Sequence, residues 1–252
     1  MSYKIQTRQA GESLRDKLED LRALKGNDFT SFPIAAGAVL FICSAVYFQL
    51  VVVNKMSLVA ASAIFIVSLV FFFLKRKQHR LVIKNYEKGL AGEKYVGAIL
   101  ERYRYKGAEV FHDLEFENFN IDHLLISTKG VFIIETKNYT QVSSHKLQIE
   151  NETLIINGFR NNEILKKVTY YSEVLSNTFK LLEIEKLPIK KVVLFPGWFI
   201  EGKNAFKDFW VLNEKSLHTY FQNAPDKLNE TEVKELTRVF RAWLLTRDSS
   251  KL

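Results

Sequence analysis

The chain has 252 residues, 47% apolar and 25% charged, a balance that excludes a disordered or low-complexity class. Its single cysteine, Cys43, excludes an intrachain disulfide. The formal charge of +8 does not define a basic nucleic-acid face: residues 75–84 carry five basic residues and no acid, whereas 85–252 hold 24 basic against 23 acidic residues.

In chain order, a polar segment comes first, 1–30. Within it Leu14, Leu18, Leu21 and Leu24 recur every three or four residues, which predicts a helix with one apolar edge. That edge suits a membrane surface or a partner helix, or simply an ordinary surface helix. Two uncharged runs follow, 33–53 and 56–74, separated only by Asn54-Lys55. Each is about 20 residues, enough to span roughly 30 Å of hydrocarbon as a helix. A transmembrane helical hairpin is therefore expected over 31–75. A cleaved signal peptide fits poorly, because the first run begins late and a second follows at once. Lys75, Arg76, Lys77, Arg80 and Lys84 flank the second run, and Arg22 and Lys25 precede the first. By the positive-inside rule both termini lie in the cytoplasm, which makes the chain a multi-pass protein of the cytoplasmic membrane, held in lipid by two helices. Residues 76–86 read as a basic juxtamembrane linker.

The remainder, 87–252, reads as one α/β domain. Val96, Ile99, Leu100 and Tyr103 mark an amphipathic helix, and Glu93 lies on or near its inward stripe. A helix-dipole role would account for that glutamate as well as a functional one. Strands are predicted at Glu109–Glu117, Ile121–Ile126 and Val131–Lys137, followed by a hairpin of Lys146–Glu150 and Thr153–Ile156 turning at Asn151-Glu152. A long helix is predicted from Asn162 to Glu183, strands at Lys190–Phe195 and Phe209–Leu212, and two closing helices near Glu214–Phe221 and Glu230–Thr246. Five scattered histidines show no zinc spacing and read as structural or surface residues. Trp198, Trp210 and Trp243 read as packing residues.

The chemistry gathers in IDHLLISTKGVFIIETKNY, Ile121 to Tyr139. The strand from Val131 is apolar on both faces, hence central and buried. Glu135 and Lys137 emerge together at its end. An even-length turn puts Ile126 opposite Val131 and Asp122 opposite Glu135, with Gly130 free to adopt positive φ. Two adjacent carboxylates repel each other and lose hydration. A divalent cation such as Mg²⁺ would relieve them, and a nearby lysine could orient water. On spacing alone, a buried Asp/Glu–Lys salt-bridge cluster without catalysis is the reading favoured over the metal site.

The order Asp, hydrophobic hairpin, Glu-x-Lys resembles the PD-(D/E)XK nuclease superfamily. More narrowly, KGLAGEKYVGAIL followed by IDHLLISTKGVFIIETKNY resembles the nuclease-related domain, or NERD, family. The matching elements are Gly92-Glu93, Ile121-Asp122, Gly130-Val131 and Glu135 to Tyr139. The resemblance implies a restriction-endonuclease-like mixed sheet flanked by helices. It implies that Asp122, Glu135 and the Thr136 carbonyl hold Mg²⁺ or Mn²⁺, that Lys137 serves the attacking water, and that Glu93 lies near the site as a catalytic residue, either a second-metal ligand or a water organiser. Where relatives carry Asn-Pro-x-x-Gln, this chain has Asn162 to Lys166, so Lys166 is the expected phosphate contact. Lys167 and Lys180 share that helix and either line nucleic acid or lie on a solvated face. The expected function is a membrane-anchored, metal-dependent nuclease hydrolysing phosphodiester bonds of cytoplasmic DNA. The alternative is a catalytically inactive, membrane-tethered module that binds nucleic acid or protein.

Overall fold

The structure is a computed structural model. It describes residues 8–23, 36, 37, 39, 43, 47, 55–140, 146–184 and 187–249; the side chains of 55–62, 64 and 65 lie outside the description. The chain divides into two compact units, Met1–Ser13 with Lys88–Leu252, and Leu14–Glu87. Helix α1 covers residues 12–23. Helix α2 runs unbroken from Lys55 to Arg104, so the residues read as a juxtamembrane linker, 76–86, are helical. No proline interrupts α2, and its basic stretch is made of good helix formers.

Among the described residues, no helix is long and apolar enough to cross a membrane. Of the hairpin expected at 31–75, the first apolar run falls almost entirely outside the described residues. The second falls in α2, where most side chains of its first half are outside them too. The transmembrane hairpin therefore gains no support from the structure.

The larger unit is built on a six-stranded mixed sheet in the order β1-β2-β3-β7-β10-β9. Its strands are β1 (Glu109–Glu115), β2 (Asn120–Ser127), β3 (Gly130–Thr136), β7 (Ile189–Leu194), β9 (Ala205–Phe206) and β10 (Phe209–Leu212). β1, β2 and β3 are antiparallel neighbours; β3, β7 and β10 run parallel. A second sheet of four strands has the order β6-β5-β4-β8, from β4 (Leu147–Glu150), β5 (Thr153–Ile156), β6 (Phe159–Arg160) and β8 (Ile200–Gly202). Strands β6, β8 and β9 are two or three residues long and carry no usable alternation. The β4–β5 turn forms at Asn151-Glu152, both with positive φ, as a tight hairpin demands.

Helices cover both faces. On one, Val96, Leu100 and Tyr103 of α2 and Leu217 of α4 (Glu214–Asn223) pack with Leu125, Phe132, Ile134 and Val192. On the other, α3 (Glu163–Leu181) and α5 (Glu230–Ser249) bury Val168, Leu175, Phe179 and Phe240 against Leu124, Ile126, Ile133 and Val193. Every residue of β3 is buried, as expected for the central strand of a doubly covered sheet. Trp198 and Trp210 are core residues, and Trp243 packs against the core. His112 and His123 form a buried pair, Nδ1 to Nδ1 at 2.8 Å, with His112 Nε2 against Glu101 at 2.7 Å.

The turn between β2 and β3 fixes their register. Ser127 pairs with Gly130 and Ile126 with Val131, leaving Thr128-Lys129 as the loop. Gly130 has φ +118, and a Cβ there would lie 2.7 Å from the Pro188 carbonyl oxygen. Gly130→Val is expected to combine backbone strain with this clash and to lower unfolding free energy by about 1–3 kcal/mol or more. Urea titration of the full chain checks it; an unchanged midpoint would refute the constraint.

Candidate active site

The β2–β3 register sets the site. Pairs His123–Ile134 and Leu124–Ile133 carry Asp122 to the position opposite Glu135. On the other side of β2, pairs His112–His123 and Leu114–Ile121 bracket Asp113 opposite Asp122. Three acids, Asp113, Asp122 and Glu135, therefore lie in one row across three neighbouring strands. Asp113 has φ +48, a local departure from strand geometry that a non-glycine residue adopts at a cost.

Glu135 is almost wholly buried. Its Oε1 accepts from Lys137 Nζ and from Lys167 Nζ, the latter at 2.9 Å. Its Oε2 is buried without a hydrogen-bond partner, as is Thr136 Oγ1. Asp122 Oδ2 accepts from the Thr136 backbone N–H at 2.7 Å. Thus Asp122, Glu135, Thr136 and Lys137 come together where the sequence places them.

Glu93 reaches this group from α2. The helix passes close to the end of β3 because residue 92 is glycine: a Cβ there would lie 2.6 Å from Asn138 Cβ. Asn138 Nδ2 ties the approach by donating to the Lys88 carbonyl at 2.7 Å. Glu93 is buried, and burial with repulsion from Asp122, Asp113 and Glu135 pushes its carboxyl up to about 9, against the pull of Lys137. Burial and Glu135 push Asp122 up to about 7, against Lys137, the Thr136 N–H and Lys167. Burial works against the charge on Lys137 and on Lys167, yet the carboxylates outweigh it and raise both ammonium groups above their ordinary range.

Lys166 lies elsewhere. It pairs with Glu163 at 2.8 Å with both side chains exposed. Its neighbour Lys167 enters the site, over the Tyr171 ring at 5.2 Å. The helix turn decides this. α3 begins at Glu163 after Asn162, and the buried stripe Ile164, Val168, Tyr171 and Leu175 brings position 167 towards the sheet. Asp113 was the other residue without a sequence signal, since its place beside Asp122 follows from pairing across β1 and β2.

The donor set suits a hard divalent cation. A buried carboxylate oxygen without a partner lies beside a second carboxylate, and both Glu93 and Asp122 are driven towards protonation by burial and then by like charge. Among the described residues, however, no group of three or more His, Cys, Asp or Glu side chains is arranged to hold a metal ion.

Residues 88–196 match the family described as NERD, the nuclease-related domain, which supports assigning that segment to the nuclease-related family. An uncharacterized protein of Bacillus anthracis is 40% identical over 57 residues, covering 21% of this chain and 27% of that protein. The chain thus matches about a quarter of that relative's length. No solved structure matches.

The raised carboxyls set a pH dependence. Unfolded Glu93 ionises near 4.5 and folded Glu93 near 9, so between these values the native state holds the extra proton. Asp122 adds the same sign between 3.8 and about 7. In EDTA, stability is expected to fall as pH rises from about 5 to 9. Glu93→Gln is expected to flatten the slope above about pH 7, with that below kept by Asp122. Denaturant midpoints of both proteins across this range check it; parallel profiles would show that Glu93 does not titrate as described.

Proposed function

We propose that the chain is a membrane-anchored, Mg²⁺- or Mn²⁺-dependent nuclease that hydrolyses phosphodiester bonds of cytoplasmic DNA. The observation that carries this reading is the Glu135 carboxylate, with one oxygen shared by Lys137 and Lys167 and the other buried and unpartnered beside Asp122. The nuclease-related match over 88–196 supports it.

Asp122, Glu135 and the Thr136 carbonyl would hold the cation. When bound, such an ion polarises phosphoryl oxygens and makes water acidic enough to attack. The chain's own residues do the positioning. Lys137, tied to Glu135, presents its remaining N–H groups to the attacking water or a phosphate oxygen. Lys167 supplies a second positive charge where the phosphorane carries negative charge. Glu93, buried close to the same acids, organises water beside them. Lys166, on the exposed side of α3, is left as a general electrostatic contact to the nucleic-acid backbone.

The second reading, an inactive membrane-tethered binding module, draws on one observation. Glu135 is already compensated by two lysines, so the cluster is stable as a salt bridge without an ion. The anchor draws on the sequence alone: the apolar runs 33–53 and 56–74 hold no charge, and each is about long enough to span lipid as a helix.

The test uses the full chain in detergent micelles with supercoiled and single-stranded DNA, under Mg²⁺, Mn²⁺ or EDTA. Metal-dependent cleavage is expected. Asp122→Ala/Lys137→Ala should reduce it by about a hundredfold or more, and Lys167→Met should cost far more than Lys166→Ala. No cleavage by a folded chain under any of these metals favours the binding module. For the anchor, the chain is expected in the carbonate-resistant membrane fraction of cells; recovery in the supernatant would remove that part of the proposal.

A further inference from the structure

Residues 8–13 precede both apolar runs in sequence, yet they group with the sheet domain. Their contacts fall on two residues of the acidic group. Ser13 clamps Asp113 with both of its donors, backbone N–H to Oδ2 at 2.6 Å and Oγ to Oδ1 at 2.7 Å. Asn120 Nδ2 adds a bond to Oδ1 at 3.1 Å. Arg8 lies 3.6 Å from Asp113 and pairs with Glu115. Gln9 N–H donates to Glu12 at 2.9 Å and closes the turn that opens α1. Gly11 has φ +75, and a Cβ there would meet Leu90 Cδ1 at 2.5 Å and Glu93 Oε2 at 3.4 Å. Ala10 sits where a Cβ on Gly97 would collide, at 2.6 Å, beside His112 and His123.

We infer that residues 8–13 are a positioning strap of the candidate site, fixing Asp113 in the acid row and covering the Glu93 carboxyl. The inference rests on the metal-binding reading above. Asp113 lies in the same cross-strand row as Asp122, and without its clamp it would be free to leave its positive-φ conformation. The strap's backbone also covers Glu93, since it approaches where no side chain fits. Groups that fix the positions of the acids around a metal site typically sustain its affinity by about tenfold or more. Undocking the strap frees Asp113 and Glu93 to move, so the acid row loses its fixed spacing and cation binding weakens. A segment before the apolar runs thus sets the affinity of a site whose other residues all follow them.

The experiment titrates Mn²⁺ into the full chain by calorimetry, with hydrogen exchange reporting protection of 8–13 and of β2–β3. Gly11→Val should release the strap and raise the Mn²⁺ Kd about tenfold or more, the range for supporting residues around metal ligands. Ser13→Ala should raise Kd less, and Ser13→Thr, which keeps the hydroxyl, should restore it. An unchanged Kd in Gly11→Val with the strap demonstrably released overturns the inference. Should Gly11→Val also lose β2–β3 protection, the serine pair decides: equal Kd for Ser13→Ala and Ser13→Thr overturns it. A wild-type chain that binds no Mn²⁺ overturns the metal reading itself, and the strap's role with it, which is a different result from unchanged binding in the variants.

Discussion

The two-residue turn at Thr128-Lys129 fixes a register on which the site depends. Strand pairing has a period of two, so a slip of one residue would turn Asp122 to the opposite face from Glu135. Gly130 holds that turn by its positive φ and its close approach to Pro188. From that point the pairs follow without choice: Ser127 with Gly130, Ile126 with Val131, and so on to His123 with Ile134. The same ladder continues into β1 and carries Asp113 beside Asp122. A row of acids is thereby written into sheet geometry rather than into a flexible loop, and rigid elements place functional groups more reproducibly than loops do.

The electrostatic consequence is a compact group whose charges only partly cancel. Glu93, Asp113, Asp122 and Glu135 face Lys137 and Lys167 within one low-dielectric region. Two lysines converge on a single oxygen of Glu135, which leaves its second oxygen and the neighbouring carboxyls without equal compensation. The molecule answers by holding protons on Glu93 and partly on Asp122. A divalent ion and a pair of protons are alternative solutions to the same repulsion. The pH dependence and the proposed metal binding would therefore concern the same atoms.

Much of the sheet was legible because its signals are local. Val131 to Ile134 is apolar on both faces, which only a central strand explains, and Asn151-Glu152 marked a hairpin turn by composition. The Asp122–Glu135 juxtaposition needed only the parity of one turn. What was not legible depended on long-range placement or on helix phase. Asp113 looks like an ordinary strand residue until β1 pairs with β2. The clamp by Ser13 joins positions 100 apart in sequence and leaves no periodic trace. The unbroken course of α2 was hidden because a charge change, from the apolar run to KRKQHR, was read as an element boundary when helix propensity did not change there.

The difference between Lys166 and Lys167 shows how fine that phase argument is. A helix advances 100° per residue, so neighbouring lysines cannot both face the sheet. A motif alignment by spacing selected Lys166, but the start of α3 at Glu163 and the stripe Ile164, Val168, Tyr171 bring 167 inward. The ammonium of Lys167 at the inward position does more than hydrogen-bond. It adds a full positive charge beside Glu135, in a site otherwise weighted towards acid. The same lysine therefore serves the salt-bridge reading and the catalytic reading at once. Only a comparison of its removal with that of Lys166, under metal, separates a charge that holds the fold from one that meets the substrate.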